Sequence, residues 1–112
     1  LLYPKRLPLK SEPLDLFALR TLTFTEPDRE TFPGLSLAYE AMRCGGSMPT
    51  VFNAANEKAV ALFLEKKIRF VQIPEMIRAA MHNHSVIENP DLEDILQTEI
   101  ETYEWIEREM RL

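Results

Sequence analysis

Residues 49–67, PTVFNAANEKAVALFLEKK, read as one helix that is apolar over most of its circumference. At about 100° per residue, Phe52, Ala55, Ala59, Val60 and Phe63 fall on one broad stripe. Asn56 lies within that stripe and Asn53 on its flank, while Lys58 and Glu65 mark the side expected to face water. A helix of this kind wants apolar neighbours on several sides, so the rest of the chain must supply helices to surround it. Pro49 suits the first helical position, where its missing N–H costs nothing. Lys66, Lys67 and Arg69 sit at the far end, where positive charge suits the helix dipole.

The flanking sequence offers those neighbours. Leu35, Leu37, Ala38, Ala41 and Met42 predict a helix from about Gly34 to Cys44, ended by Gly45 and Gly46, with Ser47 in a tight link to the central helix. Ile68–Gln72 reads as a connector. Pro74 then opens a third helix with Met76, Ile77, Ala80 and Met81 on its apolar face, ending around His82–Ser85. A last helix is predicted from about Pro90 to Arg111, with Asn89 as N-cap and Asp91, Glu93 and Asp94 in its first turn. Leu92, Ile95, Leu96, Ile100, Tyr103, Ile106 and Met110 repeat at three-four spacing along it and are expected to face the core.

Residues 1–33 differ. They hold five of the eight prolines, at positions 4, 8, 13, 27 and 33. Each fixes φ, removes a donor and pushes the preceding residue out of the helical region. A short helical turn from Asp15 is the most regular structure expected there. Thr21–Thr25 alternates Leu22 and Phe24 with threonines at a strand-like period of two, but a lone strand needs a partner edge. The prediction is thus an all-α fold: an extended arm over 1–33, with one short strand-like segment, followed by a bundle of about four helices over 34–112.

Composition narrows the function. The length of 112 residues suits a single domain. A net charge of −5 argues against nucleic acid, which asks for a basic face. No apolar run approaches the roughly 20 residues of a membrane span. The single cysteine, Cys44, cannot form an internal disulfide, which fits a reducing, cytoplasmic compartment. The chain opens on two leucines without a methionine, as a fragment of a longer protein would.

No catalytic constellation emerges from spacing. His82 and His84 lack a third ligand at metal-site spacing and read as a solvated helix end. Cys44 has only Arg43 as a charged neighbour in sequence and no activating base. The eight acids of the last helix lie opposite its apolar stripe and read as a solvated face, and the basic residues at 66, 67 and 69 as dipole partners. Asn53 and Asn56 stand out more. An amide on an apolar stripe costs about 1–3 kcal/mol unless it is hydrogen-bonded. They are read as structural amides tying down irregular backbone, either the arm or the loop around Ser47.

From Leu22 onward the sequence resembles the C-terminal part of the 1-deoxy-D-xylulose 5-phosphate reductoisomerase family. The resemblance rests on Leu22-Thr23-Phe24, Glu26-Pro27-Asp28, Pro33, Leu37-Ala38 and Gly46. Asn53-Ala54-Ala55-Asn56-Glu57 is its most specific stretch, and Ala59-Val60, Phe63-Leu64, Ile68, Phe70 and Ile73 carry it further. Tyr3-Pro4, Arg6 and Pro13-Leu14-Asp15 are similar to the approach to the family's linker. Gln72 departs from a commonly seen aspartate, and Thr102-Tyr103 from a commonly seen Ala-Arg pair.

The resemblance implies a C-terminal structural domain, with Glu57 grouped with Asn53 and Asn56 as a structural residue. The parent it implies is an NADPH-dependent enzyme, requiring magnesium or manganese. It would convert 1-deoxy-D-xylulose 5-phosphate to 2-C-methyl-D-erythritol 4-phosphate in non-mevalonate isoprenoid biosynthesis. In this family the cofactor loop, metal-binding acids and phosphate contacts lie in two preceding domains, so no catalytic, cofactor-binding or metal-ligating residue is assigned here. The partner implied is the catalytic domain of the parent chain. An arm stripped of that partner is also able to pair with a second copy as a homodimer. The competing expectation is a free-standing helical module that binds another protein.

Overall fold

A computed structural model describes residues 4–110. Tyr3 and the predicted end of the last helix at Arg111 lie outside the described residues. Five helices are present among the described residues: α1 (Leu16–Leu19), α2 (Gly34–Cys44), α3 (Met48–Leu64), α4 (Gln72–Asn83) and α5 (Leu92–Glu109). Helix α3 is the centre of the bundle. It packs against α2, α4 and α5, while α4 also touches α2 and α5. Met48, Val51 and Ala55 of α3 meet Leu37 and Ala41 of α2, Ile77 and Ala80 of α4 and Ile106 of α5 in one core. Alanines at 54, 55 and 59 let three helices approach α3 closely.

Every described residue before Pro33 is exposed, and α1 packs on none of the other helices. The radius of gyration is 18.6 Å, against about 13 Å for a compact chain of this length. The arm is therefore extended, as its prolines require. Asp15 caps α1 by accepting from the N–H groups of Phe17 and Ala18. Asp28 closes a turn by accepting from the Thr31 N–H, and hydrogen bonding from the Thr31 side chain, then from its backbone, lowers the Asp28 pKa. Thr21–Thr25 has no ladder partner, and the described residues contain no strand. The alternation of Leu22 and Phe24 is real, but nothing among the described residues offers it an edge.

Helix α2 spans the predicted residues, with Gly45 as its C-cap at φ +70. Helix α3 differs at both ends. Met48 is its first residue, which moves Pro49 to the second position. The helix stops at Leu64 instead of running to Lys67. The Lys66 N–H reaches the Phe63 carbonyl and the Lys67 N–H reaches the Leu62 carbonyl, with Lys66 at φ +61. These two bonds are the Schellman closure, made without the usual glycine. Its solvent side also differs, since Lys58 is half-buried and pairs with Glu107 of α5 at 2.6 Å.

Helix α4 starts at Gln72. Its side chain accepts from the Arg69 N–H at 2.7 Å, so the glutamine satisfies connector backbone where an aspartate cap would have been. Helix α5 starts two residues later than predicted, with Asp91 as N-cap in place of Asn89. The Asp91 carboxylate accepts from the Asp94 N–H, and the Asp94 carboxylate accepts from the Asp91 N–H. This reciprocal box satisfies two backbone donors at once, which Asn89 could not do from its position.

The face of α5 is the main departure. Leu92, Leu96 and Ile100 are 71%, 51% and 49% exposed. The helix buries Ile106, as expected, but its other buried residues are Thr98 and Thr102. Each threonine hydroxyl donates to the carbonyl four residues back, Asp94 for Thr98 and Thr98 for Thr102. A threonine satisfied in this way enters a core without an orphan hydroxyl.

Candidate functional site

Two places bring polar side chains together. The first is the corner between α2 and α3. Gly46, at φ +57, lies so close to the loop after α4 that a Cβ there would meet the Ile87 carbonyl oxygen at 2.3 Å. That approach seats Ser47 in the loop. The Ser47 N–H donates to the Ile87 carbonyl at 2.9 Å, and the Ile87 N–H donates back to Ser47 Oγ at 2.8 Å. Ser47 Oγ also lies 2.6 Å from Nε2 of His84. Ser47 is fully buried. Burial lowers the His84 pKa, and the Glu101 carboxylate pulls it the other way. Beside the ring, Glu101, Glu104, Trp105 and Arg108 of α5 line an open cavity of about 360 Å³.

A serine beside a histidine with a carboxylate nearby has the residue types of a nucleophilic triad. The geometry serves another purpose. Ser47 Oγ carries a backbone N–H and has no surface, so it can reach no substrate atom. The arrangement ties loop to helix corner. His84 is thus drawn into the fold, while His82, expected with it at a solvated helix end, is exposed. Cys44 is exposed and shares a separate surface cavity with Glu40, Arg78 and His82, without a hydrogen bond to any of them.

The second place surrounds Asn56. It lines an apolar cavity of about 540 Å³ with Phe52, Val60, Phe70, Ile73 and Ile77, walled on one side by residues 30–34 at the end of the arm. Asn56 is half-buried and Asn53 is exposed, and neither makes a side-chain hydrogen bond among the described residues. The backbone tie expected of them is not formed among the described residues. The buried stripe of α3 runs through Met48, Val51, Ala55 and Ala59, which turns both amides away from it. Glu57 does have a structural partner, since its carboxylate accepts from the Tyr103 hydroxyl at 2.7 Å.

Among the described residues no group of three or more His, Cys, Asp or Glu could hold a metal ion. The three glycines are Gly34, Gly45 and Gly46, and they form no phosphate-cradling loop. Sequence reasoning missed the Ser47 junction. The pair Gly45-Gly46 before a serine was the available signal, since glycine marks close backbone approach as well as a helix end.

The described residues form an all-α bundle preceded by an exposed arm with apolar side chains on its surface. Comparison with known proteins makes this specific. Residues 1–105 match the model of the DXP reductoisomerase C-terminal domain, and the chain belongs to that family. It is 54% identical over 108 residues to the 1-deoxy-D-xylulose 5-phosphate reductoisomerase of Agathobacter rectalis, covering 96% of this chain and 28% of the relative. The Lachnoclostridium phytofermentans enzyme of the same name is 53% identical over 110 residues, with 97% and 28% covered. The solved structure of 1-deoxy-D-xylulose 5-phosphate reductoisomerase from Zymomonas mobilis in complex with NADPH superposes with a TM-score of 0.82 at 38% identity, over 98% of this chain and 29% of that one. The chain spans less than a third of the length of these relatives.

Proposed function

We propose that this chain is the C-terminal structural domain of an NADPH-dependent reductoisomerase. That enzyme would convert 1-deoxy-D-xylulose 5-phosphate to 2-C-methyl-D-erythritol 4-phosphate in cytoplasmic isoprenoid biosynthesis. The observation that carries the reading is the family match over residues 1–105. The arm supports it: Phe17 and Phe24 are 92% and 89% exposed, a surface that asks for a covering partner. That partner is the catalytic domain of the same polypeptide, with the arm crossing between domains. NADPH and magnesium or manganese would be held by the preceding domains, as the family resemblance implies. The structural role of Asn53 and Asn56 is then exercised towards the remainder of the polypeptide. Removed from it, the arm has an apolar edge able to join two copies as a homodimer. No helix among the described residues is long and apolar enough to cross a membrane.

The test is enzymatic. The 112-residue chain mixed with NADPH, manganese and 1-deoxy-D-xylulose 5-phosphate is expected to oxidise no NADPH above background. The intact polypeptide is expected to do so, and to lose both activity and thermal stability when residues 34–112 are deleted. Turnover by the chain alone would overturn the reading, as would an intact gene product that lacks the activity or begins just upstream of Leu1.

A further inference from the structure

We propose that Ser47, His84 and Ile87 form a proton-sensitive latch on the loop before α5, closed while His84 is neutral and opened when its ring takes a second proton. The argument starts from the serine hydroxyl, which has one proton and two acceptor lone pairs. One lone pair receives the Ile87 N–H at 2.8 Å. The proton then has one acceptor within reach, Nε2 of His84 at 2.6 Å, and that nitrogen accepts only when the imidazole is neutral with its proton on Nδ1. Protonation places a hydrogen on Nε2. Ser47 Oγ would then face two donors, and its own proton would have no acceptor in a site closed to water.

The opened state has a partner ready. On α5, Glu101 and Glu104 line the cavity beside the ring together with Arg108. Glu101 favours the imidazolium and lines the same cavity as the ring. The α2–α3 corner contributes the uncharged Ser47. His82 lies on the ring's own segment, and Glu88 follows in the latched loop, its Cα against Gly46. Acidification thus exchanges a hydrogen bond to Ser47 for an ion pair with α5. Ile87 is held on the corner through Ser47 in both directions, so the exchange frees the loop that sets where α5 begins.

The chain in solution provides the test. Long-range proton–nitrogen NMR at pH 7.5 is expected to show His84 with its proton on Nδ1. On lowering the pH to about 5, the exchange protection of the Ile87 N–H is expected to fall. The fall should be on the order of tenfold for each unit by which the latch lowers the ring's pKa. Glu101→Gln should move the opening to lower pH, and His84→Gln should leave Ile87 protection independent of pH. Ser47→Ala should raise the His84 titration midpoint; where that variant does not fold, the wild-type tautomer and Ile87 protection decide. A proton on Nε2 at neutral pH, or Ile87 protection that stays flat while His84 titrates, would overturn the latch.

Discussion

The Tyr103 hydroxyl donates to the Glu57 carboxylate at 2.7 Å, joining α5 to α3 one residue along from the Lys58–Glu107 ion pair. This bond, with some burial and the nearby Glu99 charge, raises the phenol's pKa above its ordinary value. Because the folded pKa is the higher one, the bond contributes stability in full below the unfolded value of about 10 and loses it as pH rises beyond. The wild-type thermal midpoint is therefore expected to fall more steeply above about pH 10 than that of Tyr103→Phe. At neutral pH the substitution should cost about 0.5–1 kcal/mol, because the pair is partly exposed. Parallel pH curves would show that the bond adds nothing.

The three glycines, Gly34 at the start of α2 and Gly45 and Gly46 at its corner with α3, make a graded series. Gly34 has open space and ordinary φ, so Gly34→Ala should be neutral or slightly stabilising. Gly45 also has open space but sits at φ +70 and ψ −156, a region that costs other residues about 1–3 kcal/mol. Gly46 adds a clash with the Ile87 carbonyl to its positive φ, so Gly46→Ala should cost about 2–5 kcal/mol. Urea titration of the three variants checks the order. Equal losses at 45 and 46 would mean that the loop does not press on the corner.

What could be read from the sequence divides along a physical line. Helix α2 was predicted end to end because Gly34 and Gly45 bracket a local apolar repeat, and the arm because prolines act locally. The face of α5 was not. Leu92, Leu96 and Ile100 satisfy the repeat as well as the buried Thr98 and Thr102 do, and only packing against α3 chooses between them. The end of α3 was hidden because Lys66 occupies the left-handed position where a glycine would have signalled it. The Ser47 junction was hidden because its partners lie 37 and 40 residues away.

Lys66 offers a direct gain. It holds φ +61 at the position after the C-cap, where a side chain costs about 1 kcal/mol relative to glycine. Its neighbours Glu65 and Lys67 pair with each other at 2.8 Å, so replacing Lys66 leaves that contact intact. Lys66→Gly is expected to raise stability by about 0.5–1 kcal/mol in chemical denaturation. A loss of that size would mean that α3 continues through this residue.

The orientation of α5 predicts opposite outcomes for two similar residues. Leu96 is half-exposed and Ile106 fully buried in the core. In this chain, Leu96→Gln should change stability by less than about 0.5 kcal/mol, whereas Ile106→Ala should cost about 2–5 kcal/mol. Comparable losses at the two positions would require α5 to be rotated so that its apolar repeat faces α3.

Asn56→Leu decides where the amide of this motif acts. A buried, paired amide would lose about 1–3 kcal/mol on this change, because the backbone groups it served would be orphaned. In the structure Asn56 is half-buried, makes no side-chain hydrogen bond among the described residues, and lines a cavity whose other walls include Phe52, Val60, Ile73 and Ile77. A leucine there extends an apolar surface. In the isolated chain, stability should therefore stay level or rise by up to about 1 kcal/mol. In the intact polypeptide the same substitution should lower the thermal midpoint, because the amide's partners would belong to the preceding domains. A loss already present in the isolated chain would place those partners within residues 1–112, and a neutral effect in both settings would remove any structural role from Asn56.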